Sequence, residues 1–403
     1  MPPVNPSRIR LLIVLGSLTM FGAMSTDMYL PAFPSVARTL SVTTANVQLT
    51  LTAFSFGMGL GQLVYGPISD RFGRKRPLLV GLAVFVGASL LCATATTLPV
   101  LMLWRFLQAM GGSAGITIAR AMVRDQHSGI DMARMMTAMG VVFAVAPAVA
   151  PSLGALILHF GEWQWIFIAL AAFGVYTWLG AMTLPESLPP ERRTDHGFLL
   201  AFKGFAEISR QPEFRRAAIV MCAGSMALFA FISSSPAVLI GRYGMSRTVF
   251  ALLFGLNSLA MVIASQVNMR LLPRLGVERA LRVFAVAQLG ASILLVIAIA
   301  ANAPLPLVLV PLAAATGTVS ALFGNGLTLA LHPFPHRAAS AAALSGLLQM
   351  LTAGVIAAGL SALRGNPALH MGMAILLASV IATAFARGWP QSAEAAGPAV
   401  AKV

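Results

Sequence analysis

The chain has 403 residues, 58% of them hydrophobic and 10% charged, with mean hydropathy +0.84 and a formal net charge of +15. Soluble domains carry about 25% charged residues, so this composition excludes an ordinary water-facing enzyme or binding module. The excess of Lys and Arg is compatible with nucleic acid, but its placement along the chain makes it a membrane-topology signal instead.

Apolar runs of roughly 20 residues, long enough to cross a hydrocarbon core about 30 Å thick as helices, recur from end to end. They predict twelve spans, at 11–33, 46–68, 77–95, 99–121, 134–158, 164–183, 215–240, 249–270, 280–301, 304–329, 338–363 and 369–387. The first is too long for a removable signal peptide and has no convincing cleavage site, so it is expected to remain as a helix. Basic residues fall on one side of this ladder. They occupy the N-terminus (Arg8, Arg10), the 2–3 loop (Arg71, Arg74, Lys75, Arg76) and the 4–5 region (Arg120, Arg124, Arg134). They continue in the 6–7 loop (Arg192, Arg193, Lys203, Arg210, Arg215, Arg216), the 8–9 region (Arg270, Arg274, Arg279, Arg282) and the C-terminal side (Arg337, Arg387, Lys402). The opposite loops hold Arg38, Arg242, Arg247 and Arg364. Both termini are therefore expected in the cytoplasm, with lipid rather than nucleic acid as the surrounding partner. Cys92 and Cys222 lie inside predicted spans and form neither a disulfide framework nor a metal-ligand spacing.

The longest polar connection, Leu184 to Arg216, divides the spans six and six. This predicts an all-α integral membrane protein of two six-helix bundles, residues 1–183 and 215–387, joined by a cytoplasmic linker at 184–214 and followed by a tail at 388–403. A weak repeat supports the division. "DRFGRKRPL" (Asp70 to Leu78) aligns with "PRLGVERAL" (Pro273 to Leu281), keeping Arg, Gly, Arg and Leu at an offset of 203 residues. Two halves related in this way can rock about a central cavity, the architecture of alternating access.

Eleven of the twelve acidic residues fall in loops, tails or span ends, and Asp27, in "MSTDMYLPAF", is the exception. A carboxylate costs several kcal/mol in hydrocarbon, so one found there usually faces an interior pathway and acts in it. The alternative is a span that ends early and leaves Asp27 at the interface. Arg105, in "LMLWRFLQAMGGSAG", is the one basic residue well inside a span, at a depth close to that of Asp27. It either pairs or shares water with Asp27, or holds spans 1, 2 and 4 together through hydrogen bonds; both readings stay open. Burial disfavours the charged form of a carboxylate and a nearby arginine favours it, so a cavity that alternates between faces can load and release a proton. Asp27 is thus the expected proton-coupling group, with protons and substrate competing for the cavity. No cofactor or metal is expected, the proton gradient being the energy source.

"GPISDRFGRKRP" (Gly66 to Pro77) reads as a conformational latch, with Gly66 and Gly73 making a tight turn, Asp70 accepting from a neighbouring helix N-terminus, and Arg71 and Arg74 supplying charge. It lacks the spacing of a phosphate-binding P-loop. Span 5 carries Pro147, Pro151 and Gly154 on a small-residue face, read either as close packing or as a gate. Gln108, Ser234, Asn257, Asn325 and Gln349, with Tyr29, Met58, Phe229 and Phe231, are candidates to line a mostly apolar pocket. Packing between helices is the alternative role for each.

Taken together, these motifs resemble the major facilitator superfamily, specifically its drug/proton antiporters of the Bcr/CflA (bicyclomycin/chloramphenicol resistance) type, over nearly the whole chain. "STDMYLPAF", "GQLVYGPISDRFGRKRP", "RFLQAMGGSAG", "ARAMVRD", "AVAPAVAPSLGALI", "ESLPPERR" and "FPHRAASAAALSGLLQM" stand in the order that family has them. The resemblance implies a monomeric, proton-coupled exporter of phenicol-, bicyclomycin- or sulfonamide-like compounds in a bacterial inner membrane. Asp27 would carry proton and substrate, Arg105 would relay the proton, and Asp70, Arg71 and Arg74 would form the latch. Ala150-Pro151 and Gly154-Ala155 stand where the family has Gly-Pro and a double glycine. Thr19 occupies a position where some relatives hold a second acid, which favours neutral or singly charged substrates. A proton-linked carrier of a nucleoside or amino-acid derivative is the alternative. An enzyme is not expected, since paired catalytic groups are absent from the spans.

Overall fold

In a computed structural model, which describes residues 6–127, 129–193, 198–334 and 338–388, the chain is helical, with no strand among the described residues. The tail beyond Gly388, together with Arg337 and Lys402, lies outside the described residues, as do the side chains of Arg8, Arg10, Arg134 and Lys203.

The first predicted span is longer than expected and broken. It comprises α1 (Pro6–Thr19), α2 (Phe21–Asp27), a 3₁₀ turn (Leu30–Ala32) and α3 (Phe33–Thr39), with a 48° bend between the limbs either side of Met20. The sequence accounts for both interruptions. Ser17 Oγ donates to the Ile13 carbonyl and Thr19 Oγ1 to that of Gly16, each at 2.7 Å, back-bonds that bend helices. Pro31 has no N–H to give the Asp27 carbonyl four residues back, so α2 stops at Asp27. About 18 Å of chain at helical rise continues past Asp27 to Thr39, so helical chain flanks the carboxylate on both sides.

The remaining helices of the first half are α4 (Thr44–Phe72), α5 (Lys75–Ala93), α6 (Leu98–Gln126), α7 (Gly129–Phe160) and α8 (Gln164–Met182). The linker contains a 3₁₀ turn at Pro190–Arg192 and its own helix, α9 (Phe198–Arg210), where the sequence reading had only a polar connection. The second half consists of α10 (Pro212–Ser235), continued by a π-helical segment Pro236–Arg242, then α11 (Arg247–Ala300), α12 (Leu305–Gly317), α13 (Val319–Leu331), α14 (Ala338–Ala362) and α15 (Pro367–Arg387). At 54 residues α11 is two crossings joined at Gly276, and α12 and α13 are two limbs of one. All twelve predicted spans therefore correspond to helical segments.

Composition explains how the helices face. Along α11, Leu252, Leu256, Leu259, Ile263 and Val267 recur every three or four residues and are exposed, as a lipid-facing stripe must be. Polar residues at the helix starts cap free N–H groups: Thr43 accepts from Asn46 N on α4, Ser246 from Val249 N on α11, and Asn366 from Ala368 N and Leu369 N on α15. The two halves meet along α4 with α14 and α7 with α11. Small residues make those seams close. A Cβ on Gly59 would lie 3.2 Å from Leu347 and Met350, and one on Gly255 would lie 3.3 Å from the Ala148 carbonyl.

The repeat detected in the sequence is visible in the backbone. Gly73 has φ 86° and ψ 168°, and Gly276, 203 residues later, has φ 69° and ψ 167°. That region is open essentially only to glycine. Below, the face carrying these two turns is the latch face, and the face carrying Ser41 is the opposite face.

Candidate functional site

Asp27 ends α2 with 3% of its surface exposed, and its Oδ1 accepts from Thr26 Oγ1 at 2.9 Å. Gly154 of α7 abuts this break: a Cβ there would collide with the Met28 carbonyl. Pro151 beside it is buried, whereas Pro147 is half-buried. Of the gate candidates on α7, Gly154 is packed against the backbone that follows Asp27.

Arg105 does not meet Asp27; no ion pair joins them among the described residues. Its guanidinium carbon lies 4.4 Å from the centroid of Phe54, 5.0 Å from Tyr29 and 5.6 Å from Phe167. Nη1 donates to Gln108 Oε1 at 2.7 Å, Gln108 Nε2 to Ser89 Oγ at 2.8 Å, and Ser89 Oγ to the Phe85 carbonyl at 2.6 Å. The cage draws on four helices of the first half, α4, α5, α6 and α8, and on the turn that carries Tyr29. A desolvated cation–π contact is worth about 2 kcal/mol, while a buried ion costs several. The rings therefore hold the charge without fully compensating it, and Nε and Nη2 have no hydrogen-bond partner among the described residues. Sequence reasoning missed Phe54, Phe167 and Ser89. The rings come from α4 and α8, too far apart in the chain for any local pattern to join them.

The pocket candidates do not converge on one cavity. Tyr29 is fully buried in the first half, its ring 5.0 Å from Phe33 and 5.3 Å from Phe167. Met58 packs with Phe54, Ala109 and Met350. Phe231 stacks on Phe254 at 5.2 Å, and Phe229 and Ser234 are buried on the same helix. Asn257 Oδ1 accepts from Thr316 Oγ1 at 2.8 Å, and Asn325 exchanges two hydrogen bonds with Asn268, at 2.9 and 3.1 Å. Both asparagines therefore bind α11 to the α12–α13 span in this arrangement. Gln349 Nε2 donates to the Ser345 carbonyl of its own helix. A polar stripe absent from the sequence reading lies on α4. Gln48 Oε1, Thr52 Oγ1 and Ser55 Oγ are buried without partners among the described residues, at a spacing of four and three residues. Such groups ordinarily find water or a ligand.

The latch is a network centred on Arg74 rather than on a turn made by two glycines. Gly66 lies inside α4, and Gly73 alone makes the turn. Arg74 Nε donates to Asp125 Oδ2 at 2.8 Å, and Nη1 donates to Ser69 Oγ at 2.9 Å and also to Asp70 Oδ1. Burial opposes the guanidinium charge, but Asp125 and Asp70 outweigh it and raise Arg74 above its ordinary pKa. Arg71 instead lies 5.4 Å from the centroid of Phe72. Glu186 supplies a further contact that the sequence reading did not name. Its carboxylate accepts from Arg74 N at 2.8 Å and Lys75 N at 3.2 Å, satisfying the free N–H groups at the start of α5. Burial pushes that carboxyl up, but the N–H groups of Leu188, Arg74 and Lys75 and the charge of Arg193 prevail and hold it below 4.5. Lys75 Nζ in turn donates to the Met182 carbonyl at the end of α8. Every one of these partners belongs to the first half or its exit. The available sequence signal was that Asp125 and Glu186 both end spans on the face that carries Arg74.

Residues 15–358 match the Major Facilitator Superfamily. The chain is 34% identical over 382 residues to the MFS-type transporter YdgK of Bacillus subtilis, covering 94% of this chain and 95% of that one. It is 28% identical over 361 residues to a bicyclomycin resistance protein homolog of Haemophilus influenzae, covering 89% and 91%. Among solved structures, a D-xylose-proton symporter superposes with a TM-score of 0.73 over 94% of this chain and 97% of that one. At 16% identity that likeness carries the fold alone.

Proposed function

The chain belongs to the Major Facilitator Superfamily and is a multi-pass membrane transporter, not an enzyme, and on that premise we propose that it exports small amphipathic compounds in exchange for protons. The observation that carries the proposal is Asp27, a carboxylate buried at the break of the first span with a threonine hydroxyl as its hydrogen-bond partner. A carboxylate whose access to water changes with conformation takes up a proton in one state and sheds it in the other. The break after α2 gives the backbone around Asp27 freedom to change that access. Arg105, held in its aromatic cage with two N–H groups unused, is the cation available to it in another conformation. The name of the bicyclomycin resistance homolog supports an antibiotic-like substrate. The direction is export, and the latch face is cytoplasmic, in keeping with its excess of Lys and Arg. The protein resides in the bacterial inner membrane with both termini inside and works as a monomer.

Expression in an efflux-deficient bacterium, wild type against Asp27→Asn, tests this reading. Wild type raises the inhibitory concentration of at least one phenicol-, bicyclomycin- or sulfonamide-like compound and the variant does not. Equal resistance in the two, or rescue of nutrient uptake with no change in resistance, contradicts it. The latter outcome favours a proton-linked metabolite carrier.

A further inference from the structure

A cavity of about 190 Å³ lies on the latch face between the two halves. That is room for about six waters at the volume water occupies in the liquid. One wall is α4 and α6 of the first half; the other is the first turns of α14, through Ser340 and Ala343, with Phe205 of the linker helix.

The charges of this cavity do not balance. Asp70 is the sole acid lining it among the described residues, and Asp70 is already bound to Arg74, which also holds Asp125. Arg120 and Arg124 line the same space with no hydrogen bond or ion pair among the described residues, and both are exposed to it. They stand four residues apart on α6, so their Cβ atoms are about 6 Å apart, a spacing at which like charges repel. Thr117, three residues before Arg120, lies on the same stripe and in the same lining, and its Oγ1 is buried without a partner among the described residues. Across the gap, the second half contributes Ser340 and Ala343 from the N-terminal turns of α14, the positive end of that helix's dipole. Two guanidiniums and a hydroxyl make a donor set with no acceptor bound to it among the described residues. Guanidinium forks match the paired oxygens of a phosphate bidentately, as they do those of a carboxylate, and phosphate recognition is a role for which Arg is favoured.

We infer that this cavity binds an oxyanion of the phosphate or phosphodiester class, gripped by Arg120 and Arg124 and bridging α6 of the first half to the start of α14 of the second. Bound there, it stabilises the arrangement in which the halves are seen here. The site is separate from Asp27, shares a wall with the Arg74 network through Ser69, Asp70 and Arg74, and stands whether or not the transport reading holds.

The test uses the full-length protein and measures thermal unfolding by intrinsic tryptophan fluorescence. One arm, in detergent, compares sodium phosphate with sodium chloride at equal ionic strength. A second arm, in lipid nanodiscs, compares phosphatidylcholine with and without added phosphatidylglycerol. The expected result is a rise in Tm of at least about 3 °C in one arm or both. The rise is lost in the Arg120→Gln/Arg124→Gln double variant and kept in Arg364→Gln, a charge removed from the opposite face. A response to phosphate identifies a soluble anion, and a response confined to phosphatidylglycerol identifies a lipid headgroup. No rise in either arm, or the same rise in the double variant, overturns the inference. If the double variant does not fold, wild type still decides: a Tm insensitive to phosphate over chloride and to phosphatidylglycerol is sufficient to reject it.

Discussion

The turns at Gly73 and Gly276 share a backbone and differ in nearly everything attached to it. Their φ and ψ values agree to within 17° and 1°, across 203 residues. Yet Asp70, Arg74 and Lys75 of the first turn are replaced by Pro273, Val277 and Glu278 in the second. Around the first, Asp125 and Glu186 converge from the ends of two other spans. Around the second, a Cβ on the glycine would meet nothing within 4 Å. The two helix pairs keep one turn geometry, and the Arg74 network is built on the first of them. The backbone is a requirement of the fold, whereas the side chains around it differ between the halves.

That contrast is open to direct attack. The largest effect is expected from Arg74→Ala, which strands Asp125 and Asp70 without their cation. A loss of about 3 kcal/mol in stability is expected, at the low end for a broken buried pair because Asp70 is half exposed. The equivalent Val277→Ala should cost less than about 1.5 kcal/mol. Denaturation of both variants in detergent measures the difference; equal losses would mean the two turns are interchangeable after all.

Glycine substitution separates backbone from surroundings. Gly276→Ala carries conformational strain alone, about 1–3 kcal/mol. Gly73→Ala carries the same strain plus a collision, since its Cβ would lie 2.5 Å from Glu186 Oε2 and 2.9 Å from Arg193 Nη2. A lower Tm for Gly73→Ala than for Gly276→Ala is therefore expected, and the reverse order contradicts the packing described around Glu186.

The smallest effect belongs to Glu186 and depends on pH. Its pKa is depressed in the folded protein, so its contribution is present in full above the ordinary carboxylate value of 4.5 and is lost as pH falls through the lower folded value. Glu186→Gln should lower Tm modestly at pH 7, and the gap from wild type should close as acidification carries the pH below the folded carboxyl's depressed value. A gap that widens in acid would mean that the carboxylate does not cap α5.

Much of this architecture was legible in the sequence, for identifiable reasons. Hydropathy sets the spans because hydrocarbon imposes a length, and the offset of 203 set the repeat because both turns need glycine at the same place. Pro31 was in plain view, yet the break it causes after Asp27 entered the sequence reading only as an early end to the span, because hydropathy does not register a missing N–H. The surroundings of Arg105 were beyond reach. Depth along a helix placed it near Asp27, but azimuth decides contact, and it faces Tyr29, Phe54 and Phe167 instead. Asn257 and Asn325 fell to the same ambiguity: a polar residue in a span serves a ligand or a neighbouring helix, and only the partner's position distinguishes these. Glu186 was quoted within a motif without a role, since the N–H groups of α5 that it caps are more than 100 residues away.

The central claim is that Asp27 couples protons to substrate, and reconstitution in proteoliposomes tests it most directly. With an imposed pH gradient, wild type should drive a compound identified by the resistance screen against its concentration gradient. Asp27→Asn should allow only downhill exchange of that compound, with no response to the gradient. Uphill transport by Asp27→Asn that still follows the pH gradient would contradict the account.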